Sequence, residues 1–199
     1  ITYVIPIYQR NYAWERDEIC ALIKDVHDSM DMGKTVYYIG TLVTYKRDEN
    51  KYEVIDGQQR LTTIYIILRA LGVHDIYNRL TYSARKASAS TIEALSGRGE
   101  KDDLGEMPDL GIKNGFDFAK AGLNEIVGMV QTDVDKFKEY FLNHVHIIHY
   151  RVPKDVDLNH YFEVMNSRGE QLEKHEIVKA KLSEQFIGDN TSMEKFSRI

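Results

Sequence analysis

Cysteine is almost missing from this chain: Cys20 is the only one in 199 residues. A lone thiol excludes an internal disulfide, and without partner cysteines it excludes the usual structural zinc frameworks too. A reducing, cytoplasmic setting is the expectation that follows. Long apolar runs are also lacking. Apolar residues make up 43% of the chain and charged residues 29%, and no apolar stretch approaches the ~20 residues that a membrane-spanning helix needs. Positive charge is in deficit, with 26 Lys and Arg against 31 Asp and Glu and a formal net charge of −5. A protein built mainly to grip duplex DNA carries a basic stripe, because neutralised phosphates supply most of its non-specific affinity. Any DNA contact is therefore expected to be local, or to belong to another part of the protein. Neither an internal repeat nor a low-complexity tract occurs. Because the chain starts at Ile1, inside a strand-like stretch, it reads as a fragment of a longer protein.

What is present is a mixture of strand and helix patterns. Ile1 to Tyr8 reads as an extended opening strand with Pro6, which a sheet edge or strand start tolerates. Glu15, Asp17 and Glu18 place negative charge in the first turn of a helix whose Ile19, Leu22, Ile23, Val26 and Met30 recur at helical spacing until Gly33. Val36 to Tyr45 and Tyr52 to Ile55, separated by the polar Lys46 to Asn50, predict a hairpin-like pair of strands. From Gln58 the apolar residues change to a helical period, ending at Gly72. Tyr82 to Gly111 is small, charged and glycine-rich and is expected to be loop. Helices are predicted over Asp117 to Val130 and Val134 to Leu142, then a strand from Val145 to Val152 ended by Pro153. A short helix around Leu158 to Met165 and a last one near Glu173 to Ile187 complete the pattern. The expected fold class is α+β: a small mixed sheet with packed helices and a helical extension. In domain terms, residues 1–80 form the core, 81–143 a loop-rich and helical insertion, and 144–199 a returning strand with C-terminal helices.

Chemistry is concentrated at the junction "YEVIDGQQRLTT", where a short apolar strand turns through Asp56-Gly57-Gln58-Gln59-Arg60 directly into an apolar helix. A helix start presents several unpaired backbone N–H groups at one spot, and the macrodipole adds about half a positive charge there. Such a spot attracts anions. Gly57 lets a ligand approach the backbone, Arg60 offers a fork of donors suited to phosphate, and Gln58 and Gln59 offer neutral donors. Asp56 repels phosphate unless it binds a divalent cation, caps the helix or orients a water. The plainer reading makes Asp56 an N-cap, Gly57 a turn residue and Arg60 a solvated surface side chain.

Two further stretches carry candidate residues. "IPIYQRNYAW" interleaves Tyr8, Tyr12 and Trp14 with Gln9, Arg10 and Asn11, as a base-stacking or sugar-contacting wall would; packing of the aromatics in the core is the alternative. "YFEVMNSRGEQL" ends a short helix at Asn166-Ser167-Arg168-Gly169, either as a simple helix stop or as donors reaching the pocket of Arg60. The histidines of "HVHIIHY" predict a strand with His144 and His146 on one face and His149 on the other, not a metal cluster.

These segments, with "YYIGTLV" and "YFEVMNSRGEQLEKHEIVKAKL", occur in an order and over a span that resemble the N-terminal domain of GmrSD-type, modification-dependent restriction systems, grouped with the ParB and sulfiredoxin-like fold. The resemblance implies a domain that binds and hydrolyses a nucleoside triphosphate with Mg²⁺. It places Asp56, Gly57, Gln58, Gln59 and Arg60 in the signature, Tyr8, Gln9 and Arg10 beside it, and Asn166, Arg168 and Gly169 as a third element. Within this set Arg60, Gln58 and Gln59 would hold phosphates, Arg10 would offset charge, Asp56 would hold the metal or its water, and Gln9 or Asn166 would position that water. It further implies that DNA cleavage belongs to a C-terminal or companion HNH nuclease domain outside this chain. A non-catalytic module that senses nucleotide or DNA phosphates, a phosphotransferase, and a ParB-like nuclease are the other readings.

Overall fold

In a computed structural model of the chain, residues 1–95, 107–158 and 161 are described. β1 (Thr2–Ile5) leads into α1 (Arg16–Asp31), and β2 (Tyr37–Lys46) turns back into β3 (Lys51–Asp56). Gly57 then starts α2 (Gln58–Ala70), followed by β4 (Leu80–Tyr82), α3 (Lys86–Leu95), α4 (Leu110–Ile126), α5 (Gln131–His144) and β5 (Val145–Val152). The strands form one mixed sheet in the order β4-β1-β3-β2-β5. β1 lies parallel to both β3 and β4, β2 is antiparallel to β3, and β5 is parallel to β2.

Local chemistry accounts for these elements. A reciprocal pair of hydrogen bonds between Glu15 and Glu18 opens α1, and its apolar stripe of Ile19, Leu22, Ile23 and Val26 is buried. The β-branched residues of α2 do not turn it into a strand, because Tyr65, Ile66 and Ile67 are buried on a helix long enough to fill one side of the core. Alternation along β3 sends Val54 into the main core, with α1, α2 and α4, and Ile55 into a second, smaller cluster with Tyr8, Val43 and Val152.

Two expectations from sequence need correction. Residues 82–111 are not uniformly loop: Leu80–Tyr82 is an edge strand, Lys86–Leu95 is a helix, and α4 begins at Leu110, seven residues before the predicted Asp117. The Ser- and Ala-rich α3 carries only Ile92 and Leu95 as large apolar anchors, so its stripe is faint. Ser88 and Thr91 do the remaining work by bonding Asp109, which caps α4. Ile112, Ala119 and Leu123 of α4 lie in the same core as Ile19, Ile23 and Ile66.

His144 is not in a strand. It ends α5, where Nδ1 pairs with the Thr35 carbonyl at 2.8 Å. His146 meets the ring of Tyr38, and His149 packs edge-on against Tyr3 and Tyr52 with Nε2 2.8 Å from Thr44 Oγ1. Partial burial, and then the charge of Arg151, lower the pKa of His149 below the ordinary value of 6.5. The unfolded chain thus binds this proton more readily than the folded one, so His149 favours the unfolded state as pH falls below 6.5. Urea unfolding of His149→Gln is expected to show a flatter decline in stability below pH 6.5 than the unsubstituted chain.

Candidate functional site

Parallel pairing brings the ends of β1, β3 and β4 to one edge of the fold, because Ile5, Asp56 and Tyr82 all close strands that run the same way. The segment after β1 carries Tyr8-Gln9-Arg10, the segment after β3 carries Asp56 to Arg60, and the segment after β4 carries Arg85. β2 runs the other way, so Gly40 and Thr41 join them from its first half. Carboxyl ends of parallel strands are where α/β sheets generally hold ligands.

At the junction itself, Gly57 is the N-cap of α2 with φ +90°, and no side chain caps the helix. Asp56 is therefore not the cap that the plainer reading made it. Its carboxylate, 41% exposed, lies 3.3 Å from Arg60 Nη2, and the same Nη2 donates to the Thr41 carbonyl at 2.7 Å. Arg60 does not extend into bulk solvent: its side chain is 29% exposed and lies along Gly40, where a Cβ would stand 3.4 Å from Nε. Gly40 has φ +118°, and the β2–β5 register shifts around it. A second irregularity, between Val43 and Thr44, faces the end of β3. Arg60 Nε is buried without a hydrogen-bond partner.

The three glutamines are buried, each with a distinct use. Gln9 donates from Nε2 to the Ile55 carbonyl at 2.7 Å and fastens its turn to the end of β3. Gln59 accepts from the Ala13 amide and donates to the Asn11 carbonyl, both at 2.9 Å, so it clamps the loop between β1 and α1 onto α2. Gln58, only 3% exposed, accepts from Gln59 through Oε1, while its Nε2 has no well-formed partner although Tyr82 lies nearby. Burial raises the pKa of the Tyr82 hydroxyl, with hydrogen bonding to Thr62 and Gln58 acting in the opposite sense.

The aromatic wall expected around Gln9 and Arg10 is not available in that form. Tyr8 is buried in the second cluster with its hydroxyl donating to Glu53 at 2.8 Å, and Tyr12 is buried with its hydroxyl on Thr63. Trp14 packs against the main core. Arg10, next to Gln9, is exposed.

Asn166, Arg168 and Gly169 lie outside the described residues. Tyr161, five positions before Asn166, packs in the second cluster, and burial, then Tyr150 and Asp56, raise its pKa. Tyr161 thus lies within electrostatic reach of Asp56.

Sequence reasoning missed Arg85, and it held Gly40 and Thr41 only within the segment "YYIGTLV", with no role assigned to them. Arg85 sits in "YSARKASAS" with no signal around it, and Gly40 and Thr41 are strand residues whose importance comes from pairing alone.

Among the described residues no group of three or more His, Cys, Asp or Glu lies close enough to hold a metal ion, and no helix is long and apolar enough to cross a membrane. A family model described as GmrSD restriction endonuclease, N-terminal domain, matches residues 1–183. Comparison with curated proteins gave no significant match.

Proposed function

This chain belongs to the GmrSD restriction endonuclease N-terminal domain family, and on that premise we propose that the β3–α2 junction binds a nucleoside triphosphate and hydrolyses it in service of DNA restriction. One observation carries the reading: beside a helix start that no side chain caps, Arg60 Nε is buried and unpaired, while Gln58 Nε2 is buried with only the Tyr82 hydroxyl near it. A buried donor left unsatisfied costs about 1–3 kcal/mol. A buried donor at the positive end of a helix dipole suits an acceptor-rich anion, and a polyphosphate is the acceptor-rich anion that the family resemblance implies.

The residues then divide by role. Gln58, Arg60 and the first backbone amides of α2 hold phosphate oxygens. Gln9 and Gln59, whose amides are bonded to the main chain, fix the frame around them. Arg10 supplies a second guanidinium from the neighbouring turn, where charge that develops in the transition state is offset. The family resemblance adds Asn166 and Arg168, which lie outside the described residues, to the nucleotide-binding set.

The donor set fits magnesium in one way only. Mg²⁺ commonly takes one or two carboxylates together with substrate phosphates and several waters, so the single carboxylate of Asp56 suits an ion that arrives with the triphosphate, and not a cage built by protein alone. When bound there it would neutralise phosphate charge. The nuclease domain expected alongside this one would cut the DNA.

Thermal unfolding with each triphosphate, with and without magnesium, tests the reading. At ligand a hundredfold above Kd the folded state gains about 2.7 kcal/mol, a rise in Tm of about 5–10 °C for a chain of this length. No shift with any triphosphate would sink the binding site. A shift without product over hours would leave a sensor in place of an enzyme.

A further inference from the structure

We propose that Arg85 is a positioning residue for the triphosphate reaction, holding the Gln9–Arg10 turn in its working shape; the inference rests on the hydrolase reading above. Arg85 follows β4 and precedes α3, far in sequence from the junction. Its Nη2 donates to the Ile7 carbonyl at 3.1 Å and to the Gln9 carbonyl, and its Nη1 donates to the Arg10 carbonyl at 3.3 Å. One planar guanidinium thus gathers three main-chain carbonyls of a single turn. A flexible ammonium cannot reproduce that fork.

The backbone aims the side chain. Ser83 N donates to the Ile5 carbonyl, which ties the end of β4 to the end of β1, and Ala84 then takes φ +57°, a left-handed conformation unusual for a residue with a Cβ. Such strain persists only where the surroundings enforce it, and it concentrates at functional sites. Opposite Arg85, Gln9 reaches from the same turn to the Ile55 carbonyl, one residue before Asp56. The turn is held from both sides, and Arg10 follows Gln9 directly in it. Arg85 touches carbonyls of the turn, so its influence on chemistry passes through Gln9 and Arg10.

Steady-state hydrolysis by Arg85→Ala separates this role from simple scaffolding. Misplacing a catalytic group by about 1 Å can cost roughly 10²-fold, so kcat is expected to fall about 10- to 100-fold with little change in KM. Arg85→Lys stays impaired, and guanidinium ion at a sub-denaturing concentration restores part of the Arg85→Ala rate without raising that of the unsubstituted chain. Arg79→Ala, which removes a contact to the Ile1 carbonyl at the other end of β4, leaves turnover unchanged. Normal kcat in Arg85→Ala overturns the proposal, as does a loss that merely follows the folded fraction by circular dichroism and is not rescued by guanidinium. Absence of turnover in the unsubstituted chain overturns the hydrolase reading instead, and the role of Arg85 falls with it.

Discussion

Arg60→Ala is expected to lower magnesium-dependent triphosphate turnover by about 10²–10³-fold, the usual result of removing one preorganised donor from a developing negative charge. The position of the side chain makes this more than a loss of charge. Arg60 bonds the Thr41 carbonyl and the Asp56 carboxylate through one nitrogen and lays Nε along Gly40, which leaves Nη1 as the donor open to a ligand. Arg60→Lys keeps the charge but not the planar donors, so most of the loss should remain. The pair with Asp56 is partly exposed and contributes little to folding, so Arg60→Ala is expected to melt near the unsubstituted chain. Unchanged turnover would remove Arg60 from the mechanism.

Gly57→Ala is expected to carry the largest effect on stability, about 2–4 kcal/mol, from backbone strain and overpacking together. Its φ of +90° disfavours any side chain, and a Cβ there would stand 2.8 Å from the Thr41 carbonyl oxygen and 3.3 Å from Leu42 Cα. Backbone atoms of a central strand cannot yield as a flexible side chain would. For a chain of this size the change amounts to a fall in Tm of about 5–15 °C, read by calorimetry. The clash falls on the carbonyl that orients Arg60, so nucleotide binding by the surviving folded fraction should weaken as well. A melting temperature within a degree of the unsubstituted chain would refute the packing described at this turn.

The fold was legible wherever the apolar period was strong. α1, α2, the β2–β3 hairpin and β5 appear where the sequence predicts them, because long stripes of Ile, Leu, Val and Tyr leave few alternatives. α3 and β4 were not legible. β4 is three residues long, and α3 depends on Ser88 and Thr91 bonding to Asp109, a tertiary device that no local pattern announces. The signature "DGQQR" marked the strand-to-helix junction, yet it did not disclose how its members divide. Gln59 and Gln9 resemble free donors in sequence, and pairing with the main chain turns them into struts. Arg85 gave no signal at all, since what defines it is the set of carbonyls that the parallel strands bring within its reach.

Strand β1 also has a consequence for how the molecule is made. It sits between β3 and β4, so neither of its partners is a sequence neighbour, and its edges stay open until about fifty and then about eighty residues have followed it. Such non-local closure slows folding and lengthens the interval in which a bare strand can find the wrong mate. During synthesis the β2–β3 hairpin can form first and offer β1 a template. The edge that gathers Gln9, Asp56 and Arg85 depends on all three parallel strands, so it cannot close until β4 has followed.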